Sequence, residues 1–254
     1  MNAAHGSLLL MPNALDFGAT PRDIQELLPL GVLKRAASLQ HWVAEDARST
    51  RAFLKRVHAV APLQRALQDI DIRELPRPNK GGGATIAGAD LRALLAPALS
   101  GHDLGLISEA GLPAVADPGA ALVAAAHDAG VAVLPLPGAS ALTLALAASG
   151  LNGQSFAFVG YLPQDGALRA TRIRELESQS RRLHQSQLLI ETPYRNAAML
   201  AALLGTLRDD TRLSVSCGLT LPSGWTRSAT VAAWRSQPMA IAERTPAVFA
   251  FLSA

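Results

Sequence analysis

A chain of 254 residues, of which 49% are hydrophobic, has room for one large α/β domain or for two domains of about 120 residues each. Its single cysteine, Cys217, excludes a disulfide framework and a thiolate metal site, which favours a cytoplasmic protein. The net charge of +3 permits a polyanionic partner without requiring one. The N-terminal apolar run is too short for a signal peptide, and no run reaches the roughly 18 apolar residues of a membrane span, so no membrane partner is expected.

The first half of the chain alternates short apolar runs with segments of helical length, which is the pattern of βαβ units and a parallel sheet. In chain order, the predicted elements are a strand at 7–11, a helix at 20–30, a strand at 38–45, helices at 46–57 and 91–101, a strand at 104–108, a helix at 117–130 and a strand at 131–138. The predicted N-caps of the first three helices are Thr20, which precedes Pro21, and then Asp46 and Asp90. The Pro- and Gly-rich segment 73–90 predicts a long mobile loop.

Two prolines end the last of these strands, and we place a domain boundary near 135–139. This gives an N-terminal α/β domain at 1–136 and a C-terminal α/β domain at 137–254. The predicted elements of the second domain are, in chain order, a helix at 139–149 that stops at Gly150, a strand at 156–163, a basic helix at 167–182, a strand at 187–191, a helix that begins with Thr192-Pro193, and strands at 213–219 and 246–252.

Four turns follow predicted strands at their C-terminal ends, where open α/β sheets bind ligands. These turns are Pro12-Asn13, Glu109-Ala110-Gly111, Pro137-Gly138-Ala139-Ser140 and Glu191-Thr192-Pro193. Glycine and other small residues in such turns let backbone N–H and C=O groups approach a ligand closely. Each turn alone fits an ordinary strand–helix connection, but the concentration of turn residues in 107–119 and 135–141 favours a ligand site.

Three ordered segments carry a resemblance to a known family: ISEAGLPAVADPGAALV at 107–123, LPLPGASALTLALAASGL at 134–151 and FAFVGYLP at 156–163. Together they resemble the tetrapyrrole (corrin/porphyrin) methylase superfamily. The chain is most similar to the branch of ribosomal-RNA small-subunit ribose 2′-O-methyltransferases, which VAEDARSTRAFL at 43–54 and IETPYRNAAMLAALL at 190–204 also resemble. The resemblance covers most of residues 6–252.

The resemblance implies two α/β domains, with a mostly parallel N-terminal sheet, a mixed C-terminal sheet and a ligand cleft between them. It implies a homodimer that binds S-adenosylmethionine in this cleft and releases S-adenosylhomocysteine. The matching positions for cofactor contacts are Pro12, Glu109, Ala110, Gly111, Ala114, Ser140, Ala141, Thr192, Pro246 and Ala247. A sulfonium methyl is already activated, so the protein need only align donor and acceptor, and no metal is expected.

Three segments depart from the family's pattern: MPNALDFG at 11–18, LPRPNKGGGA at 75–84 and CGLTLPSGWTRSATVAAW at 217–234. The cofactor side of the site therefore matches the family, while the substrate side differs from it. The methyl acceptor stays open between ribosomal RNA, free or in a ribosomal subunit, and a small molecule such as a tetrapyrrole. A non-catalytic protein that binds S-adenosylmethionine is the alternative to both.

Ribose 2′-O-methylation needs a group that accepts the hydroxyl proton, and an RNA substrate needs cationic contacts. Glu45, Asp46 and Glu191 are candidate bases at strand ends, although Asp46 also fits an N-cap and the glutamates also fit ion pairs with arginines. The candidate substrate contacts are Asp46, Arg48 and Arg51, and the two arginines suit an anionic substrate.

Further cationic and aromatic residues have two interpretations each. The helix at 167–182 could bind phosphates through its arginines or could be a solvated helix of mixed charge, since Glu175 and Glu177 lie among them. The three tryptophans (Trp42, Trp225 and Trp234) could stack on a base or macrocycle, but core packing is the commoner role. No histidine has metal-ligand spacing to a second group.

Overall fold

The computed structural model describes residues 5–15, 23–76 and 88–254. The chain divides into two compact units, unit 1 up to Ala139 and unit 2 from Ser140, and each contains its own five-stranded sheet. The predicted helix start at Thr20 and Pro21, and most of the loop predicted at 73–90, lie outside the described residues. Within the described ranges, no helix is long and apolar enough to cross a membrane.

Unit 1 is an α/β unit with a parallel sheet. Its strands are β1 (Ser7–Met11), β2 (His41–Ala44), β3 (Asp71–Glu74), β4 (Leu104–Ile107) and β5 (Ala132–Pro135). Its helices are α1 (Ile24–Leu27), α2 (Leu30–Ser38), α3 (Ala47–Val60), α4 (Gly88–Leu94), α5 (Ala96–Leu99) and α6 (Ala120–Asp128). The strand order is β3-β2-β4-β1-β5, and every neighbouring pair is parallel. The C-terminal ends of all five strands therefore lie along one edge.

Helices cover both faces of this sheet, as the almost uninterrupted apolar runs of its strands predict. Leu9 and Met11 of β1 pack in the same cluster as Trp42 of β2 and Phe53 of α3. Leu8, which points to the opposite face, packs in a second cluster with residues of α4 and α6. Burial of each such side chain stabilises the folded unit by about 1.5–3 kcal/mol. The two clusters therefore hold the strands in place, and with them the connections that leave the strand ends.

Unit 2 contains a mixed sheet. Its strands are β6 (Phe156–Phe158), β7 (Ser186–Ile190), β8 (Arg212–Cys217), β9 (Trp225–Thr230) and β10 (Ala247–Leu252). Its helices are α7 (Ala141–Ser149), α8 (Gly166–Leu183), α9 (Asn196–Thr206) and α10 (Val231–Ser236). The strand order is β6-β7-β10-β8-β9; β6 is parallel to β7, and the other neighbours are antiparallel. The predicted fold class, with a parallel first sheet and a mixed second sheet, is confirmed.

The core of unit 2 lies on both faces of its sheet. On one face, Phe249 of β10 clusters with residues of α8, α9 and α10, among them the fully buried Trp234. The Trp234 indole N–H donates to the carbonyl oxygen of Leu213 (2.9 Å), so this tryptophan has a core role rather than a ligand-stacking one. On the other face, Leu146 of α7 packs on Leu188 of β7.

The helix predicted at 20–30 is wrong in its extent. The described part of that segment forms α1 and the first residue of α2, with Pro29 between the two helices. Pro29 restricts the preceding residue, Leu28, to an extended conformation (φ −128°, ψ 139°), which ends α1. The α2 helix then continues to Ser38, and the strand predicted from that residue begins only at His41.

The structure also corrects the loop predicted at 73–90. Strand β3 includes the first two of these residues, and α4 begins at Gly88. Asp90 is therefore the third residue of α4 and not its N-cap. A carboxylate anywhere in the first turn interacts favourably with the positive end of the helix dipole. An aspartate such as Asp90 therefore indicates that a helix begins nearby, but not at which residue.

The segment 220–236, for which no element was predicted, contains β9 and α10. Strand β9 pairs only with β8 and is rich in polar residues, so it lacks the alternation that marks a half-buried strand. Thr230 caps α10 by accepting the backbone N–H of Ala233 (3.2 Å).

Candidate cofactor-binding site

Several predicted site residues lie where the parallel strands of unit 1 end. Pro12 follows β1, Glu45 and Asp46 follow β2, and the segment from Ser108 to Gly119 follows β4. We refer to these residues together as the unit 1 edge. Because β1, β2 and β4 are neighbours in the sheet, the connections that leave them are adjacent.

Asn13, which the sequence marked only as a turn residue, joins two of these connections. Its buried side-chain amide donates to the carbonyl oxygens of Ser108 (3.1 Å) and Glu109 (2.9 Å), and its Oδ1 accepts the backbone N–H of Ala14 (2.8 Å). The Asn13 and Gly111 backbones exchange two further hydrogen bonds (2.8 and 3.1 Å). Asn13 thereby fixes the predicted cofactor turn at 109–111 to the end of β1.

The loop after β4 has a strained backbone. Gly111 and Gly119 have positive φ angles (70° and 128°), and so do Ala114 and Ala116 (65° and 64°). A left-handed conformation costs about 1–2 kcal/mol at a residue with a Cβ atom. The loop persists in this form because other contacts hold it, such as the hydrogen bond from the Ala114 N–H to the Pro118 carbonyl (3.2 Å). Strain of this kind is common at ligand sites, and it is consistent with the predicted contact at Ala114.

The turn after β5 packs directly on Pro12. Pro12 is buried, and a Cβ atom at Gly138 would overlap its ring, lying 2.5 Å from the Pro12 Cγ. The Leu136 N–H donates to the carbonyl oxygen of Leu10 (3.1 Å), which continues the ladder between β5 and β1 into this turn. Gly138 is thus required for the close approach of two backbone segments, whereas Pro12 presents a packed ring rather than a free side chain.

Three carboxyl groups gather at the unit 1 edge. The Glu45 Oε2 accepts the backbone N–H of Glu109 (3.1 Å), while the Glu45 N–H donates to Ile107 and extends the pairing of β2 with β4. Asp117 lies near both glutamates: burial, and then the negative charges of Glu45 and Glu109, raise the pKa of Asp117 to about 7. At neutral pH Asp117 therefore binds a proton about half of the time, and the edge favours a cationic ligand.

The predicted substrate contacts lie at the start of α3. Asp46 is the N-cap, as predicted, and its carboxylate accepts the N–H of Ser49 (2.6 Å). Arg48 is exposed, and the Arg51 guanidinium donates to the carbonyl oxygen of Ala47 within the same helix (3.3 Å). Asp46 thus has a structural role, and the binding roles of all three residues stay predictions.

In unit 2 the predicted residues lie at two places. Ser140 precedes α7 as its N-cap residue, is buried, and makes no side-chain capping bond. Its carbonyl oxygen accepts the N–H of Leu144 (3.0 Å), so α7 begins at Ala141 with backbone N–H groups at its N-terminus. Such groups attract anions, which is consistent with a contact to a carboxylate or hydroxyl of a ligand.

The second place is the edge where β6 and β7 end and β10 begins, which we call the unit 2 edge (Gly160, Tyr161, Glu191 to Arg195, Gly218 to Thr220, and Pro246). Thr192 follows β7, and the Gly218 N–H donates to the Pro246 carbonyl (2.8 Å), which ties the end of β8 to the start of β10. Ala247 is buried in the core cluster of unit 2, so only its backbone could contact a ligand.

Glu191 does not fit the role of a base. Its side chain is 2% exposed, and its Oε1 accepts hydrogen bonds from the Thr192 N–H (2.7 Å) and from the Arg195 guanidinium (2.8 and 3.1 Å). The predicted alternative, an ion pair with an arginine, is what the structure contains.

Some polar atoms at these two edges have no partner among the residues that the structure describes. The buried atoms are Ser108 Oγ at the unit 1 edge and Thr220 Oγ1 at the unit 2 edge. Unpaired buried groups are costly, so these atoms mark positions where a ligand can complete a hydrogen bond. Ser108 lies in the 107–119 segment, and Thr220 in the 217–234 segment, that the sequence analysis had singled out. In the same described ranges, no cluster of three or more His, Cys, Asp or Glu side chains could hold a metal ion.

No family model matches the chain. Two curated relatives are both named ribosomal RNA small subunit methyltransferase I. The protein of Micromonospora olivasterospora is 35% identical over 82% of this chain and 58% of its own length, and that of Mesorhizobium japonicum is 33% identical over 82% and 64%. The chain thus spans about three fifths of the length of these relatives.

Solved structures resemble both units. The methyltransferase CobJ superposes with a TM-score of 0.56 at 16% identity over 98% of this chain and 95% of its own. The native uroporphyrin III C-methyltransferase of Thermus thermophilus gives 0.52 at 18% identity over 97% of each chain. The fold is therefore the two-domain α/β fold of these methyltransferases. The names of the curated relatives and this fold agree with the resemblance of the sequence to the tetrapyrrole methylase superfamily.

Proposed function

We propose that the chain is an S-adenosylmethionine-dependent methyltransferase that acts on a ribose 2′-hydroxyl of small-subunit ribosomal RNA. The observation that carries the proposal is the strained loop after β4, which Asn13 clamps at the predicted cofactor positions. The names of the curated relatives support the RNA substrate over a tetrapyrrole.

The residues present fit S-adenosylmethionine. The carboxylates at the unit 1 edge complement the positive charges of its sulfonium and ammonium groups. The unpaired Ser108 hydroxyl and the backbone of Glu109 to Gly111 offer hydrogen bonds, and the α7 N-terminus at Ser140 and Ala141 suits an anionic group. When bound, the cofactor supplies an activated methyl group, and the chain has to orient the acceptor and accept its proton.

Asp117 fits the proton acceptor better than the three candidates chosen from the sequence. Glu191 is held in an ion pair, Asp46 caps α3, and Glu45 accepts the Glu109 N–H. Asp117 is partly exposed, and its pKa of about 7 lies near the operating pH, where a general base works best. The sequence analysis assigned Asp117 only to the start of a helix, whereas α6 begins at Ala120 after Gly119.

Two measurements test the proposal. Calorimetry with S-adenosylmethionine and S-adenosylhomocysteine should show binding of both compounds. Small ribosomal subunits stripped of methylation should then accept label from the cofactor, and nuclease mapping should place it on a ribose. Binding without transfer to RNA would refute the RNA substrate and would favour a tetrapyrrole acceptor or a non-catalytic binding protein; no binding would refute the whole proposal.

We also propose that the chain forms a homodimer. Phe156 and Phe158, two residues apart on the edge strand β6, are 46% and 36% exposed in one copy, and exposed apolar side chains on an edge strand suit an interface with a second copy. Light scattering coupled to size-exclusion chromatography should give the mass of two chains. A monomeric mass at micromolar concentration would contradict this.

A further inference from the structure

The chain has only two tyrosines, and both are exposed at the unit 2 edge. Tyr161 is 57% exposed after β6, and Tyr194 is 75% exposed after β7. Strands β6 and β7 are parallel neighbours, and the Ile190 N–H donates to the carbonyl oxygen of Gly160 (3.2 Å). The two connections that carry the tyrosines therefore start side by side.

Tyr194 is held on a rigid turn. Pro193 to Arg195 form a single 3-10 turn, which the Arg195 N–H closes by donating to the Thr192 carbonyl (2.8 Å). The Arg195 guanidinium lies 5.3 Å from the centroid of the Tyr194 ring, within the range of a cation–π contact. The same guanidinium is anchored to the buried Glu191 carboxylate, so ring and cation are fixed together.

This arrangement suits a planar ligand. A large aromatic ring loses apolar contacts when it stays in water, and most of the Tyr194 ring is exposed although the core of unit 2 is close by. Because its backbone is already ordered, Tyr194 would lose little conformational entropy on binding. Aromatic rings and arginine planes are what proteins use to stack the splayed bases of single-stranded RNA.

We propose that Tyr194 and Arg195, with Tyr161 beside them, form a stacking platform for an unpaired nucleobase of the RNA substrate. This inference rests on the proposed function and specifies the substrate as a single-stranded or flipped-out nucleotide. Thr192, a predicted cofactor contact, lies two residues before Tyr194, so a base on the platform would bring its nucleotide to the cofactor side of unit 2.

The test is binding of a fluorescein-labelled single-stranded RNA oligonucleotide, with its duplex as comparison, at one fixed salt concentration. Tyr194→Ala should weaken single-strand binding about 5- to 100-fold, the usual effect of removing one base-stacking ring. Tyr194→Phe, which keeps the ring, should bind within about twofold of the wild type. Leu183→Ala is the matched control, because Leu183 is an exposed apolar residue (45%) at the far end of α8, next to the start of β7.

Calorimetry with S-adenosylmethionine separates this inference from the proposed function. All variants should bind the cofactor as tightly as the wild type does. If the wild type itself does not bind the cofactor, the proposed function is refuted. The platform is refuted if Tyr194→Ala binds single-stranded RNA as tightly as the wild type. It is equally refuted if Tyr194→Phe is as weak as Tyr194→Ala, or if the wild type binds no single-stranded RNA.

Discussion

The role of Asn13 can be tested by removing its side chain. Asn13→Ala deletes three hydrogen bonds, to the Ser108 and Glu109 carbonyls and from the Ala14 N–H, and leaves the backbone pairing with Gly111 intact. At about 1 kcal/mol for each bond, the variant should lose about 3 kcal/mol of stability. A domain of ordinary stability, about 5–15 kcal/mol, remains folded after such a loss.

The same substitution should weaken cofactor binding. Without its clamp, the turn at 109–111 has to be ordered again when the cofactor binds. If about 1.4 kcal/mol of the lost energy had held the turn, the binding-competent fraction falls to about a tenth, and the apparent Kd for S-adenosylmethionine rises about tenfold. Chemical denaturation measures the first effect, and calorimetry measures the second.

Asn152 provides a matched control. Its side chain also makes three hydrogen bonds, to the His184 carbonyl (2.7 Å) and from the N–H groups of Gln154 (3.0 Å) and Ser155 (3.2 Å). It precedes β6 and is therefore at the opposite end of the unit 2 strands from the unit 2 edge. Asn152→Ala should lower stability without changing the Kd. If Asn13→Ala binds the cofactor as tightly as Asn152→Ala does, Asn13 has no positioning role.

Three further predictions concern single side chains. The raised pKa of Asp117 means that the folded state keeps a proton that the unfolded state releases above pH 3.8, so stability should fall as the pH rises towards about 7. Asp117→Asn should flatten this part of the curve in denaturation experiments; parallel curves would contradict the pKa assignment. Gly138→Ala should lower stability by about 1–3 kcal/mol through overlap with Pro12, measured against Gly153→Ala, where a Cβ atom meets nothing within 4 Å. Glu191→Gln should lower the melting temperature but leave the pH profile of methyl transfer unchanged, and a shifted profile would restore Glu191 as a base.

Local chemistry in the sequence was enough to predict much of unit 1. The apolar runs at 7–11 and 104–107 are too short for most helices and are flanked by turn residues, which favoured strands buried on two faces. Asp46 as an N-cap and Gly150 as a left-handed C-cap follow from side-chain and backbone preferences that need no tertiary information.

Elements that depend on a distant partner could not be predicted in this way. Strand β9 exists because β8 offers it an edge, since its own residues are mostly polar. The side chain of Asn13 finds its acceptors at Ser108 and Glu109, about ninety-five positions further along the chain, and a single sequence contains no record of that pairing. The pKa of Asp117 is raised by its burial and then by the charges of Glu45, from another strand end, and Glu109, and these surroundings exist only in the folded unit.

In the loop after β4, the glycines could be recognised from the sequence as turn residues, but the strained alanines could not. Glycine at 111 and 119 adopts positive φ without strain, and this is what made the segment conspicuous. Alanine at 114 and 116 adopts similar angles at a cost, and in return it leaves the unfolded loop fewer conformations than glycine would. Strain of this kind survives only where surrounding contacts enforce it. Here the Ala114 N–H donates to the Pro118 carbonyl, while Asn13 holds the start of the loop at Ser108 and Glu109. The loop is therefore held in one conformation before any ligand arrives, so a ligand gains affinity because little ordering remains to be done.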